Sequence, residues 1–226
     1  KNTKEKRPYR LFKRSKYVAN ELEEDTEKLL AKYNESGYRN VKILSDSLVR
    51  NNSKTADLHI SITEGQQFYF GEITWLGNTK YETKDLSRRL GLIEGEVYNR
   101  VKLEERLFMS QNGDDVSSLY LDNGYLSFSA NPVETRVYND TVDLQIRIYE
   151  GKQYRINSII IKGNSVTNDH VVMLEIRTRP GDLFDRSAII RTQRELSQLG
   201  FFDPAGMNIN PIQNPADGTV DIEYTV

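Results

Sequence analysis

A nine-residue stretch that recurs with its surroundings intact constrains this chain more than any other feature. Phe70-Gly71-Glu72-Ile73-Thr74-Trp75-Leu76-Gly77-Asn78 matches Ile156-Asn157-Ser158-Ile159-Ile160-Ile161-Lys162-Gly163-Asn164, and each copy runs into a helical pattern after its Gly-Asn. The next landmark keeps its distance: 18 residues separate Gly77 from Gly95, and Gly163 from Gly181. The segments opening there also correspond, Gly95-Glu96-Val97-Tyr98-Asn99-Arg100 against Gly181-Asp182-Leu183-Phe184-Asp185-Arg186. Equal chemistry at equal spacing marks a repeated structural unit, and missing a repeat would misassign the architecture.

The second half of the unit occurs three times, opening on a glycine and an aromatic: Ser36-Gly37-Tyr38, Asn123-Gly124-Tyr125 and Leu199-Gly200-Phe201. A loose strand, a polar turn and a strictly alternating strand follow each. The alternating strands place Ala56, Leu58, Ile60 and Ile62 on one face, then Val142, Leu144, Ile146 and Ile148, then Val220, Ile222, Tyr224 and Val226. Period two means one covered face and one wet face. Glu64-Gly65 and Glu150-Gly151 close the first two copies.

Helical spacing precedes each glycine, with Leu22, Leu29 and Tyr33 in one copy and Ile189, Leu196 and Leu199 in another. The glycine itself suits the left-handed position that ends a helix. A shorter helix comes earlier, carrying Leu86 and Leu90 after Thr83, and Val171, Leu174 and Glu175 after Asn168. The unit therefore reads β-α-α-β-β, an α+β class with a three-stranded mixed sheet covered on one face by two helices. Residues 67–151 and 152–226 hold complete units. Residues 1–66 hold a basic opening and only the second helix and last two strands of another, so the chain is expected to begin inside a domain. The middle copy carries about ten extra residues near Gln111-Asn112-Gly113-Asp114-Asp115, expected to form a loop or an added helical turn. Units this small bury only about 60% of their surface and lean on neighbours. Gly65, Gln66 and Gln67, and Gly151, Lys152 and Gln153, are expected to be short interdomain hinges.

Composition narrows the chemistry. The chain has 226 residues, 37% hydrophobic and 28% charged, which is ordinary globular composition. No apolar run approaches the roughly 20 residues of a membrane-spanning helix, and no signal-like segment opens the sequence. Either the chain is cytosolic or its targeting and anchoring parts lie outside it. The absence of cysteine removes thiol and disulfide chemistry without locating the protein. A net charge of −2 offers no global field for nucleic acid, and the basic run over the first 16 residues reads as a solvated loop. Catalytic or metal sites need clustered histidine, cysteine or carboxylate. The two histidines stand apart: His59 belongs to the wet face of an alternating strand and His170 to the first turn of a helix. Glu23, Glu24 and Asp25 read as a solvated helix face. Gly77-Asn78 and Gly163-Asn164 lack the further glycines and lysine of a phosphate loop. No catalytic residue, cofactor or metal is expected, and the chain reads as a binding scaffold rather than an enzyme.

The order and spacing of these motifs resemble the POTRA (polypeptide-transport-associated) domains of BamA-type outer-membrane assembly proteins, over nearly the whole chain. Leu199-Gly200-Phe201-Phe202 with Val220-Asp221-Ile222-Glu223-Tyr224-Thr225-Val226 is similar to the POTRA immediately before the barrel. Gly95-Glu96-Val97-Tyr98-Asn99 with Asn123-Gly124-Tyr125 is similar to the preceding one. The resemblance implies a Gram-negative protein whose POTRA domains hang on the periplasmic face of the outer membrane beside a C-terminal β-barrel. It further implies that unfolded outer-membrane proteins are the clients and accessory lipoproteins the partners. The ten-residue insertion and the basic opening depart from the family pattern.

In the family order the strand after the second helix lies at the sheet edge and the last strand is central. Pro132 and Pro211 agree, because proline is tolerated mainly on edge strands. An open edge accepts an extended peptide through main-chain bonds with little regard to its sequence. The expected peptide-binding residues are Leu126, Ser127, Phe128, Ser129 and Ala130 in the middle copy, and Met207, Asn208 and Ile209 in the last. Three other readings compete. A KH-like nucleic-acid module needs a GxxG loop between its helices, where this chain has Gly91-Leu92-Ile93-Glu94-Gly95 and Thr178-Arg179-Pro180-Gly181. A sibling secretion or translocation transporter usually carries two such domains, and a divisome protein usually one.

Overall fold

Strands that alternate apolar and polar residues assemble here into small sheets whose apolar faces lie under helices. The computed structural model describes residues 19–52, 56–110, 112–163, 169–200, 202 and 206–225. The basic run at 1–16 and residues Gln111, Asn164, Asn168, Phe201 and Val226 lie outside them. The elements run α1 (Ala19–Glu35), β1 (Lys42–Arg50), β2 (Ala56–Thr63), β3 (Tyr69–Leu76), α2 (Thr83–Leu90), α3 (Arg100–Phe108), α4 (Val116–Leu121), β4 (Ser129–Tyr138) and β5 (Thr141–Tyr149). They continue through β6 (Arg155–Lys162), α5 (Asp169–Glu175), α6 (Arg186–Gln198), β7 (Asn208–Asn214) and β8 (Thr219–Thr225). The strand orders are β1-β2, β3-β5-β4 and β6-β8-β7, so the alternating strand is central in both three-stranded sheets. In the last sheet β6 runs parallel to β8 and β7 antiparallel to it, the mixed arrangement expected. Two compact units divide the chain: one runs to Ile73 and adds Leu92–Leu103 and Glu134–Leu144, and the other holds Thr74–Gly91, Glu104–Val133 and Gln145 onward.

The core of the last repeat shows how the pattern works. Val220, Ile222 and Tyr224 point inward from β8 onto Ile189 and Leu196 of α6, Val172 of α5, Ile176 just after it, and Tyr154, Ile156, Phe184 and Met207. Each such burial stabilises by about 1.5–3 kcal/mol. The α5 face differs from the expected one, because Val172 and Ile176 point inward while Leu174 is 69% exposed. The offset that carries Gly77 onto Gly163 also carries Leu86 and Leu90, both buried in α2, onto Val172 and Ile176. The repeat thus outranked local helical spacing. In β5, Val142, Leu144, Ile146 and Ile148 are all buried as read. Leu58, Ile60 and Ile62 of β2 are only half-buried, and Ala56 is exposed. Among the described residues that sheet has two strands and a single helix, α1, beside it.

The insertion breaks the second helix of the middle repeat. Where the last repeat has the continuous α6, the middle one has α3, a loop and then α4. Asp115 starts α4 as its N-cap, accepting the Ser118 amide at 2.9 Å. A cap of this kind is worth about 1 kcal/mol. Arg89 of α2 ties the loop down by donating to the carbonyls of Gly113 at 3.0 Å and Asp115 at 3.2 Å.

Candidate functional site

The outer strands of the three sheets, β1, β4 and β7, form the first candidate surface. Each has a partner strand on one side only among the described residues. The opposite margin is partly occupied. Gly95 and Glu96 bond to Phe70, and Tyr98 to Phe68, at 2.8 Å each, making a bridge between Tyr69 and Val97. Gly181, Asp182 and Phe184 repeat this on Ile156 and Tyr154 at 2.7–3.0 Å, with a bridge between Arg155 and Leu183. The segment between the two helices, where a KH domain would carry its nucleic-acid loop, is spent on capping the first strand. Asp221 then braces a bulge in β6, accepting from Ser158 Oγ at 2.5 Å and Asn157 Nδ2 at 2.8 Å. Those bonds hold its carboxyl below the usual range.

β1 was not singled out from sequence, yet it is the least obstructed of the three. Proline on an edge strand turns its nitrogen to solvent, the side an added strand would use. Pro132 in β4 and Pro211 in β7 therefore each remove one outward donor, whereas the nine residues of β1 contain no proline. Leu44, Leu48 and Val49 of β1 are 66%, 46% and 50% exposed, which adds apolar contact area along this edge.

The joints between repeats are the second feature, and one backbone clasp recurs. Phe68 donates its amide to Gly37 O at 2.9 Å, and Tyr154 donates to Gly124 O at 2.8 Å. Gln67 Nε2 reaches Ser36 O at 2.8 Å, and Gln153 Nε2 reaches Asn123 O at 3.0 Å. Gly37 and Gly124 have φ of +89° and +86°, and a Cβ on Gly37 would lie 2.7 Å from Val97 Cγ1. Only glycine fits comfortably there. The closing glutamates repeat as well. Tyr33 donates to Glu64 at 2.9 Å, and Tyr120 to Glu150 at 3.2 Å. Glu150 also accepts the amides of Thr79 and Lys80 at 2.8 and 2.9 Å.

Comparison with known proteins accounts for this plan. The POTRA family model, described as surface antigen variable number repeat, matches residues 3–65, 68–151 and 154–226. The chain belongs to the POTRA family. It is 28% identical over 203 residues to a putative outer membrane protein assembly factor of Treponema pallidum, covering 86% of this chain and 23% of that protein. It is 27% identical over 218 residues to the outer membrane protein assembly factor BamA of Neisseria meningitidis serogroup B, covering 96% of this chain and 27% of that one. The chain thus spans about a quarter of the length of these curated relatives. Its fold matches POTRA domains 3–5 of Haemophilus influenzae BamA with a TM-score of 0.73, at 21% identity, over 94% of this chain and 82% of that one. These are tandem POTRA domains of BamA type.

Against the POTRA sheets, the residues expected to bind peptide divide. Ser129 and Ala130 lie on β4, and Asn208 and Ile209 on β7. Leu126, Ser127 and Phe128 do not belong to the edge, because the turn that ends at Phe128 uses their backbone. Leu126 N bonds Gly124 O and Phe128 N bonds Tyr125 O, each at 2.9 Å. Leu126 packs against the core of the last POTRA, and Phe128 stacks on Tyr120 with ring centroids 4.2 Å apart. Ser127 Oγ reaches Gln213 Oε1 at 3.2 Å. Met207 precedes β7 and is buried in the core, where Ile209 also packs. Of the expected hinge residues, Gln66, Gln67 and Gln153 bind carbonyls across the joints. Gly65 and Gly151 sit beside Asn40 and Ser127 at positive φ, and Lys152 is exposed in the linker.

Among the described residues no three histidine, cysteine or carboxylate side chains gather into a metal-binding group, and no helix is long and apolar enough to cross a membrane. His59 and His170 are exposed. A shallow depression of about 370 Å³ lies beside Leu174, Ile176, Arg177 and Glu195. Two of its charges pair with each other, since Arg177 forks onto Glu195 at 2.5–2.8 Å, and Glu175 and Arg179 complete its rim.

Proposed function

We propose that this chain is the client-receiving periplasmic scaffold of an outer-membrane β-barrel assembly factor, and that it holds unfolded outer-membrane proteins as strands added to β1, β4 and β7. The observation that carries this reading is the exposed, proline-free β1 beside β2. The names of the relatives, outer membrane protein assembly factors, support the setting. In that setting the chain is divided at 1–66, 67–151 and 152–226, the last POTRA lies next to a C-terminal barrel, and accessory lipoproteins dock on the remaining surfaces. The whole acts by binding, without catalysis. Three or four added backbone bonds at about 0.5–1.5 kcal/mol each leave millimolar to micromolar affinity after ordering costs. Contact of that strength is reversible, as a transit surface requires.

The test is to titrate peptides from unfolded outer-membrane proteins into isotopically labelled chain and follow the amides. Shifts concentrated in 42–50, then in 129–138 and 208–214, support strand addition. Shifts confined to helix surfaces, or none with β-rich peptides, would turn the assignment towards partner docking alone.

A further inference from the structure

The insertion in the middle POTRA meets the next domain through Arg186. Breaking the second helix creates two acceptors that a continuous helix would not offer. The Phe108 carbonyl, at the end of α3, has no later turn of helix to bond it. The Asp115 carboxylate, capping α4, is fully buried. Arg186, the first residue of α6 in the last POTRA, enters between them. Its Nη2 lies 3.1 Å from Asp115 Oδ2 and 2.6 Å from Ser118 Oγ, and its Nη1 lies 3.3 Å from Phe108 O and 3.2 Å from Ser117 Oγ. A planar guanidinium presents a rigid fork of donors that meets the carboxylate and the carbonyl at set positions, a geometry that the compact ammonium of lysine does not reproduce. A second pair of bonds joins the same elements. Asp122, at the end of α4, accepts the Ser187 amide at 3.0 Å and the Ser187 hydroxyl at 2.7 Å, so the middle POTRA caps the N-terminus of the last POTRA's helix.

We propose that the insertion is a latch seat: it receives Arg186 and, with Asp122, locks the middle and last POTRA domains into one mechanical piece. The arginine recurs and the helix break does not: Arg100 holds the corresponding place after Gly95, and α1 runs unbroken from Ala19 to Glu35. The compact units follow the same logic, since Glu104–Val133, with the insertion and α4, groups with the last POTRA.

The chain lacks cysteine, so spin labels go only where cysteines are introduced. Pulsed dipolar spectroscopy between labels at Lys84→Cys and Arg194→Cys, both exposed positions, reads the joint with no client present. The expected result is a single narrow distance distribution that is lost in Arg186→Met and retained in Arg39→Met. Asp122→Ala is expected to speed hydrogen exchange at the Ser187 amide. A distribution as narrow in Arg186→Met as in the parent, or one already broad in the parent, overturns the latch. If the methionine variant does not fold, Arg186→Lys carries the same test with the same two outcomes.

Discussion

At the first joint Arg39 lies over the rings of Phe68 and Tyr98, 5.3 and 5.7 Å from their centroids, and pairs with Glu134 at 2.8 Å. At the second joint the corresponding residue is Leu126, and it packs into an apolar cluster with Tyr154 and Phe184. The clasp of Gly37 with Phe68 and Gly124 with Tyr154 is the same in both. What differs is where the charge has gone. The first joint keeps its ion pair at a partly exposed margin, with the side chains of Arg39 and Glu134 27% and 35% accessible. The second has an apolar centre and places its ion pair against a buried carboxylate, with Arg186 26% and Asp115 0% accessible. A solvent-screened pair contributes little, whereas removing one partner of a buried pair leaves a charge stranded. The two joints therefore share a backbone hinge plan and should differ in how firmly it is held.

That contrast can be broken most severely at Arg186. Arg186→Met should destabilise by about 3 kcal/mol in chemical denaturation, because Asp115 is left buried without its counter-charge. Gly37→Ala should come next, at about 2 kcal/mol, since the methyl group would force a left-handed backbone and press on Val97. Its cost should appear in the unfolding of the first joint and leave the Arg186 contacts intact. Arg39→Met should cost about 1 kcal/mol or less in the same measurement. Raising salt to 1 M should erase most of that difference while leaving the Arg186 effect nearly unchanged.

The smallest effect is in the response to acid. Burial raises the Asp115 pKa, but hydrogen bonds from Ser117 and Ser118 and the Arg186 guanidinium outweigh it and hold the group below the usual aspartate range. A group with a depressed folded-state pKa contributes stability above its unfolded value, about 4, and loses that contribution as pH falls through the folded value. Stability measured against pH should therefore decline below about pH 4 in the parent and less steeply in Asp115→Asn. At the first joint the ionisation most affected is that of Tyr98, pushed up to about 12 by burial and by Glu134, so it stays neutral throughout this range.

Much of this was legible in the chain because it depends on local periodicity. The alternation of Val142, Leu144, Ile146 and Ile148 located a buried strand, and the glycine before Tyr125 located a helix end. The edge position of β4 and β7 was implied by the family resemblance, and their prolines agreed with it. Two kinds of information were not local. Arg186 finds Asp115 some 71 residues away, and nothing in the spacing around either residue announces the other. The assignment of Leu126 and Phe128 to an edge strand failed for a similar reason, since their alternation is real but serves a joint and an aromatic stack. The inward face of α5 was readable after all, had the offset between repeats been carried through to Val172 and Ile176.

The bridge that Gly181–Phe184 makes on the start of β6 has a bearing on stoichiometry. A sheet with two equivalent open margins can add strands on both sides and propagate, which is how aggregation spreads. Here one margin of the last sheet is shortened by its own chain, while the other, at β7, remains available. Under the proposed function, such a sheet offers one full receiving margin instead of two, so a guest strand is met at β7 and the β6 side stays closed to it over the bridged residues.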